Sequence, residues 1–370
     1  MIEPEPLQQV DRTFVRFRGR KLSYFSGCDY FRLASHPKVV KALKMGVSRY
    51  GLSVSASRLT TGNHVLYRRL EQDLAKFFGA PSALLLGSGY LANLAVAQAL
   101  SGQFSHALLD EQAHPSLSDA VRFLDCPVLR FKHRAAAELQ LAVARCGPEA
   151  KLIVLTDGMF SRDGSAAPLR EYLDVLPEDA QLLVDDAHGG GVLGKTGKGT
   201  LEHEGVRRER VIQTVTLSKA FGAFGGAILC TKALRECIAS RSELFAGSTP
   251  LPLPLASAAL QACSLLRSSR KFQERLRHNS WLAKEQLRAA GLPLPQTPGP
   301  IIALKSQGQT VGARLRRALL AGGIYPSLIR YPGGPADGYF RFVISSEHSK
   351  AQIERLTKVL ASFQAVLRPV

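Results

Sequence analysis

The sequence predicts an α/β fold, a mostly parallel seven-stranded sheet covered by helices and followed by a smaller α+β domain. Three observations predict it. Short, continuously apolar runs alternate with helical stretches from residue 37 to about residue 230, the pattern of strands buried on both faces. A Pro-rich stretch, Thr249-Pro250-Leu251-Pro252-Leu253-Pro254, then breaks the alternation. Beyond it the strands become few, and long amphipathic or basic helical stretches dominate. The division expected is an arm over 1–36, a large domain over 37–250 and a small C-terminal domain over 251–370.

The arm is rich in Pro and charge at first, and its alternating stretch 13–18 reads as a strand. His36-Pro37 opens a helix over 38–50, and a second follows over 66–78. Residues 83–86 are a short apolar strand, followed by a glycine turn and a helix from about Leu91. Strands over 106–109, 128–131, 152–155, 181–184, 211–216 and 226–230 complete the large sheet. The C-terminal part reads as one long basic helix over 257–290, a Pro-rich turn over 292–300 and a strand over 301–304. A helix over 311–321, a strand over 339–344 and a last amphipathic helix over 350–366 close it. No internal repeat or low-complexity tract interrupts the pattern.

At 370 residues, with 45% hydrophobic and 21% charged positions, the chain can bury an ordinary core. No apolar run reaches the roughly 18 residues that span a bilayer. The first residues carry neither a basic nor an apolar leader segment, which predicts a cytoplasmic protein. The six cysteines form no C-x-x-C pair, as expected of reduced thiols and not of a disulfide frame or metal site. The net charge of +18 suits anionic partners. Nucleic acid is disfavoured, because the basic residues are spread along the chain and do not interleave with aromatics. Acyl-CoA or an acidic acyl carrier protein fits the charge, and so does a basic surface kept for solubility.

Three spaced elements in the large domain fit one cofactor. The first is Gly87-Ser88-Gly89-Tyr90, between a strand and a helix, where bare backbone and a helix start favour phosphate. The second is Asp185-Asp186-Ala187-His188, at the end of an apolar strand where open α/β sheets bind ligands. The third is Lys219, just past the strand 211–216 within a run of small residues, where desolvation makes an amine nucleophilic. Each has a plainer reading alone: a turn, a helix cap or metal ligand, a solvated surface charge. Together they point to pyridoxal 5′-phosphate (PLP), whose ring nitrogen a carboxylate can keep protonated.

The chain resembles the α-oxoamine synthases, fold-type-I PLP-dependent transferases, from about Asp29 to its end. Asp29-Tyr30 with Leu33-Ala34-Ser35-His36-Pro37 looks like the family's N-D-Y-L-G-L-x-x-H-P opening. Ser57-Arg58-Leu59 with Gly62, Leu70-Glu71 and Phe77-Phe78-Gly79 follows the S-R-L-x-x-G segment and its helix. Thr156-Asp157-Gly158-Met159-Phe160-Ser161, and above all Asp185-Asp186-Ala187-His188-Gly189, match further family motifs. The resemblance implies that Lys219 carries the cofactor and shuttles the substrate's α-proton, with Asp185 at the ring nitrogen. It puts His188 and Ser161 near the phenolic oxygen and stacks His114 on the ring. Ser88, Gly89, Tyr90 and Thr216 would hold the phosphate, with Thr249 reaching it from a second subunit of a homodimer that shares its sites. Arg341, and Arg330 beside it, would bind the amino-acid carboxylate, and no metal is implied.

The activity implied is decarboxylative condensation of an amino acid with an acyl thioester, in the pattern of the biotin-pathway branch that uses L-alanine and a pimeloyl thioester. A sister synthase using glycine and a short acyl-CoA, a PLP aminotransferase, and a basic binding protein on a degenerate scaffold are the other readings. Departures fall at Cys28, Phe31-Arg32 and Asp157, where the family carries Asn, Leu-Gly and Glu. They bear on the substrate more than on the cofactor.

Overall fold

A computed structural model describes residues 5–330, 335 and 337–370. The chain divides into two compact units. One comprises His36–Phe160 and Ala166–Arg270; the other comprises Met1–Ser35, Ser161–Ser165 and Lys271–Val370.

The larger unit holds the seven-stranded sheet. Its strands lie in the order Ser82–Leu86, Gly226–Cys230, Val211–Thr216, Gln181–Asp185, Leu152–Asp157, His106–Asp110, Val128–Phe131. Gly226–Cys230 runs antiparallel to both neighbours, and the other pairings are parallel. The continuously apolar runs have a simple cause. Successive strand residues face opposite sides, and both sides are covered. Leu109, Ile153, Leu155 and Leu183 join one core with the helix Gly89–Ala99. Their neighbours Leu108, Leu152, Val154, Leu182 and Val184 join another with Leu139 and Tyr172.

The unit boundary lies at Arg270–Lys271, not near residue 250. The prolines start a helix here and do not end a domain: Leu253–Ser268 has proline in its first turn, where the missing N–H costs nothing. That helix packs on Pro37–Tyr50 so closely that a Cβ on Gly46 would lie 2.8 Å from the Pro254 Cα. The single helix expected over 257–290 is two, because Ser269 is extended (φ −150°, ψ 125°) before Lys271–Ala289 begins.

In the second unit, four antiparallel strands lie in the order Leu328–Ile329, Tyr339–Val343, Ile301–Ser306, Leu367–Pro369. The last helix stops at Ala361, and the final strand takes an edge of this sheet, so the helix expected to run to 366 is shorter. The arm is not separate. Its strand Phe14–Phe17 pairs with Arg20–Ser23, and Ser23 exchanges backbone hydrogen bonds with Gly323 (2.8 Å) and Tyr325 (2.9 Å). Among the described residues no helix is long and apolar enough to cross a membrane.

Candidate active site

Eight of the residues singled out in the sequence line one cavity of about 170 Å³ in the larger unit. They are Ser88, Gly89, Tyr90, His114, Asp185, His188, Thr216 and Lys219, joined by Ser116, Asp157 and Ala187. A roomier basic groove of about 710 Å³, lined by Lys41, Arg49, Arg69 and Arg267 among others, holds none of these motifs. Chemistry and not size therefore marks the site.

Sheet topology brings the eight together. Asp157, Asp185 and Thr216 end three adjacent parallel strands, at the edge where such sheets bind ligands. Ser88 caps the helix Gly89–Ala99, its Oγ accepting from Leu91 N–H at 3.2 Å. The helix start leaves backbone donors and a positive dipole end for an anion. A Cβ on Gly89 would lie 3.0 Å from the Thr216 Cβ, so glycine is what lets this turn meet the next strand end. Thr216 Oγ1 donates to Gly225 O (3.1 Å) and accepts from Ser218 N–H (3.2 Å), fixing the turn that carries Lys219.

Two adjacent aspartates have different work. Asp185 Oδ2 accepts from Asn93 Nδ2 (2.6 Å) and Ser116 Oγ (3.2 Å), and Oδ1 from Ala187 N–H (3.1 Å). Asp186 points into the protein and is a loop anchor. It accepts from Thr200 Oγ1 (2.6 Å), Thr200 N–H (2.8 Å) and Gln213 Nε2 (2.6 Å). Burial pushes its carboxyl up to about 6 against those bonds. Gly158, Gly189 and Gly199 crowd it, and a side chain on any of them would collide with its carboxylate.

His114 Nδ1 sits 2.7 Å from Ser116 Oγ and accepts from Ser116 N–H at 3.2 Å, while the His114 backbone N–H donates to Asp157 Oδ1 at 2.9 Å. Burial holds the imidazole below its ordinary range, with Lys219 adding to the effect and Asp185 opposing it. Asp157 moves the other way: burial first, then the Asp185 charge, push its carboxyl well above the usual range. Tyr90, edge-on to His114 at 6.1 Å, donates to Asp119.

Four expected site residues are not among those lining the cavity. Ser161, Arg341 and Arg330 belong to the other unit, where Arg341 NH1 donates to Ser161 O at 3.0 Å and Arg330 is exposed. Thr249 is exposed on the larger unit, its carbonyl near Gly87. Sequence reading missed Asn93, Ser116 and Thr214, the network behind Asp185. Asn93 alone left a signal, as the one amide in the apolar run 91–97.

The residues present fit PLP. A buried carboxylate held by neutral donors, a helix start for the phosphate and an amine on a fixed turn meet in one cavity. The family pattern for class I and II aminotransferases matches residues 28–360. The 8-amino-7-oxononanoate synthase of Thioalkalivibrio sulfidiphilus is 38% identical over 347 residues, covering 92% of this chain and 88% of that protein. That of Methylococcus capsulatus is 38% identical over 340 residues, covering 91% and 88%. Among solved structures, SPT with its PLP internal aldimine superposes with a TM-score of 0.89 at 27% identity, covering 96% of this chain and 90% of that one. The 8-amino-7-oxononanoate synthase of Francisella tularensis does so at 0.79 and 27%, covering 92% and 97%.

Proposed function

The chain belongs to the class I and II aminotransferase family, in its α-oxoamine synthase branch, and from that premise we propose that it joins L-alanine to a pimeloyl thioester. The products are 8-amino-7-oxononanoate, carbon dioxide and the free thiol of CoA or a carrier protein. The chain is a PLP-dependent enzyme of the acyl-transferring kind. What carries the choice of substrate is likeness in sequence: the 38% identity runs to the oxononanoate synthases over more than nine-tenths of the chain.

When bound, PLP withdraws electrons from the amino acid's α-carbon. Every other task falls to this chain. Lys219 holds the cofactor and then moves the substrate's α-proton on its Nζ. Asp185, oriented by hydrogen bonds from Asn93, Ser116 and Ala187, would hold the proton on the ring nitrogen. The Ser88–Tyr90 helix start and Thr216 take the phosphate, and His114 covers the ring. His188 and Ser161 take the phenolic oxygen, and Arg341, seconded by Arg330, takes the substrate carboxylate through a bidentate fork. The enzyme works in the cytoplasm as a homodimer whose exposed Thr249 completes the partner's phosphate site.

A second reading has one observation behind it. The backbone superposes better on SPT than on the Francisella oxononanoate synthase, which favours a sister condensation with another amino acid and acyl chain. Mass-detected product formation by the PLP-loaded protein separates them. L-alanine and pimeloyl-CoA should give 8-amino-7-oxononanoate with matching thiol release. No product from CoA and carrier-protein donors alike, in a protein that binds PLP and L-alanine, would overturn the choice of acyl donor.

A further inference from the structure

Asp157 and Asp185 are register partners at the ends of adjacent parallel strands. Neighbouring strands lie about 4.8 Å apart, and both residues line the same small cavity with little exposure, 5% and 7%. Two carboxyls so placed cannot both ionise cheaply, and the environment of each decides which keeps the proton. Asp185 accepts three hydrogen bonds, from Asn93, Ser116 and Ala187. Among the described residues the Asp157 carboxyl accepts one, from the backbone N–H of His114.

The other charged groups around Asp157 do not restore the balance. Asp110, ending the strand on its far side, adds a further negative charge and raises the Asp157 carboxyl. Asp110 has compensating partners of its own in His133 Nδ1 (3.0 Å), Gln112 N–H (2.9 Å) and Arg134 N–H (3.2 Å). His114 is held towards its neutral form by burial, and His188 lines the cavity. Lys219 is the one ammonium on the cavity wall among the described residues; Asp185 shares that wall with it. Burial outweighs the help that Lys219 and the His114 N–H give an ionised Asp157.

We propose that Asp157 and Asp185 hold one proton between them, resident on Asp157. Asp157 then gives the cavity a neutral hydrogen-bond donor, while Asp185 keeps the negative charge. The placement deepens the reading of this cavity as the PLP site and rests on it for its use in catalysis. The proton itself can be found with or without cofactor.

The test is carbon-13 NMR of protein labelled at its aspartate carboxyl carbons, titrated from about pH 5 to about pH 9, without and with PLP. One carboxyl should stay protonated through neutrality, be missing from Asp157→Asn, and ionise at lower pH in Asp185→Asn, where its like-charged neighbour is gone. In parallel, Asp157→Asn, which keeps a donor, should hold PLP within about fivefold of wild type, less than one neutral hydrogen bond is worth. An Asp157 carboxyl already ionised at neutral pH, or a more than tenfold loss of PLP in Asp157→Asn, would overturn the proposal. If that variant does not fold, the shift in Asp185→Asn against wild type decides alone. A protein that keeps the protonated carboxyl yet fails to bind PLP would sink the cofactor reading and leave the proton pair standing.

Discussion

Asn93 donates through Nδ2 to Asp185 Oδ2 at 2.6 Å, across 92 residues of sequence. Thr214 Oγ1 donates to the other end of the same amide, Oδ1, also at 2.6 Å. The hydroxyl fixes which end of the amide faces the carboxylate, since only the oxygen can accept its proton. Asn93 is fully buried, so its bonds are set in a place where leaving one unmade is costly. The helix that starts at Gly89 thus also positions the Asp185 carboxylate.

Asn93→Ala should therefore weaken PLP without touching it. Losing a hydrogen bond to a charged group costs about 1.5–3 kcal/mol, roughly 10- to 100-fold in affinity. Spectrophotometric titration of apoprotein with PLP measures this. Affinity unchanged in a folded Asn93→Ala protein would mean that Asp185 needs no such support.

Lys219→Ala should lose the covalent hold on the cofactor. After borohydride reduction and denaturation, wild type should carry the mass of one reduced cofactor per chain and the variant none. A retained adduct would place the reactive amine elsewhere.

Much of this site was legible before the structure, and the reason is physical. Residues whose chemistry is strong and whose turns are tight, such as Gly89, Asp185 and Lys219, leave a local mark in sequence. The boundary near residue 250 misled because proline both breaks and begins helices, and here Pro252 and Pro254 sit at the start of one. Ser116 and Thr214 left no mark, since a buried hydroxyl becomes meaningful only when a distant chain segment supplies its partner. The short terminal strand Leu367–Pro369 was hidden for a like reason: its pairing is with Ile301–Ser306, and nothing local demands it.

Glu71 should contribute heavily to the stability of the larger unit. Its Oε1 accepts from Arg58 and from Leu85 N–H (3.0 Å), its Oε2 from Arg235 NH2 (2.9 Å), and the Arg58 and Glu71 side chains are nearly buried. Removing one member leaves a charge buried and unpaired, at a cost of about 3–5 kcal/mol. Glu71→Ala should lower the urea midpoint accordingly. A shift typical of surface positions would show that water relaxes into the gap.

His348 should make the second unit acid-sensitive. Its Nδ1 accepts from Ser345 N–H (2.9 Å), its Nε2 lies 3.0 Å from Tyr24 O, and Phe25 stacks on it at 4.1 Å. Burial, aided by the Arg32 charge, lowers the imidazole from 6.5 to about 3. The unfolded chain takes a proton that the folded one refuses, so stability present above pH 6.5 is lost as pH falls from there towards 3. The slope approaches about 1.4 kcal/mol per pH unit. His348→Gln should be weaker at neutral pH yet flatter in urea midpoint against pH. Parallel curves for the two proteins would contradict the assignment.

The strand Gly226–Cys230 runs against its neighbours, so the chain that leaves the sheet at Thr216 re-enters beside it at Gly226, with Lys219 on the excursion between. Leu86, next to the phosphate turn, meets that same Gly226 on its other side. The two sides of the cavity therefore differ in the chain distance that closes them: the Lys219 side by neighbouring segments, the Ser88–Gly89 side by distant ones. Closing the second side is the costlier step in chain entropy, because it brings together segments far apart in sequence.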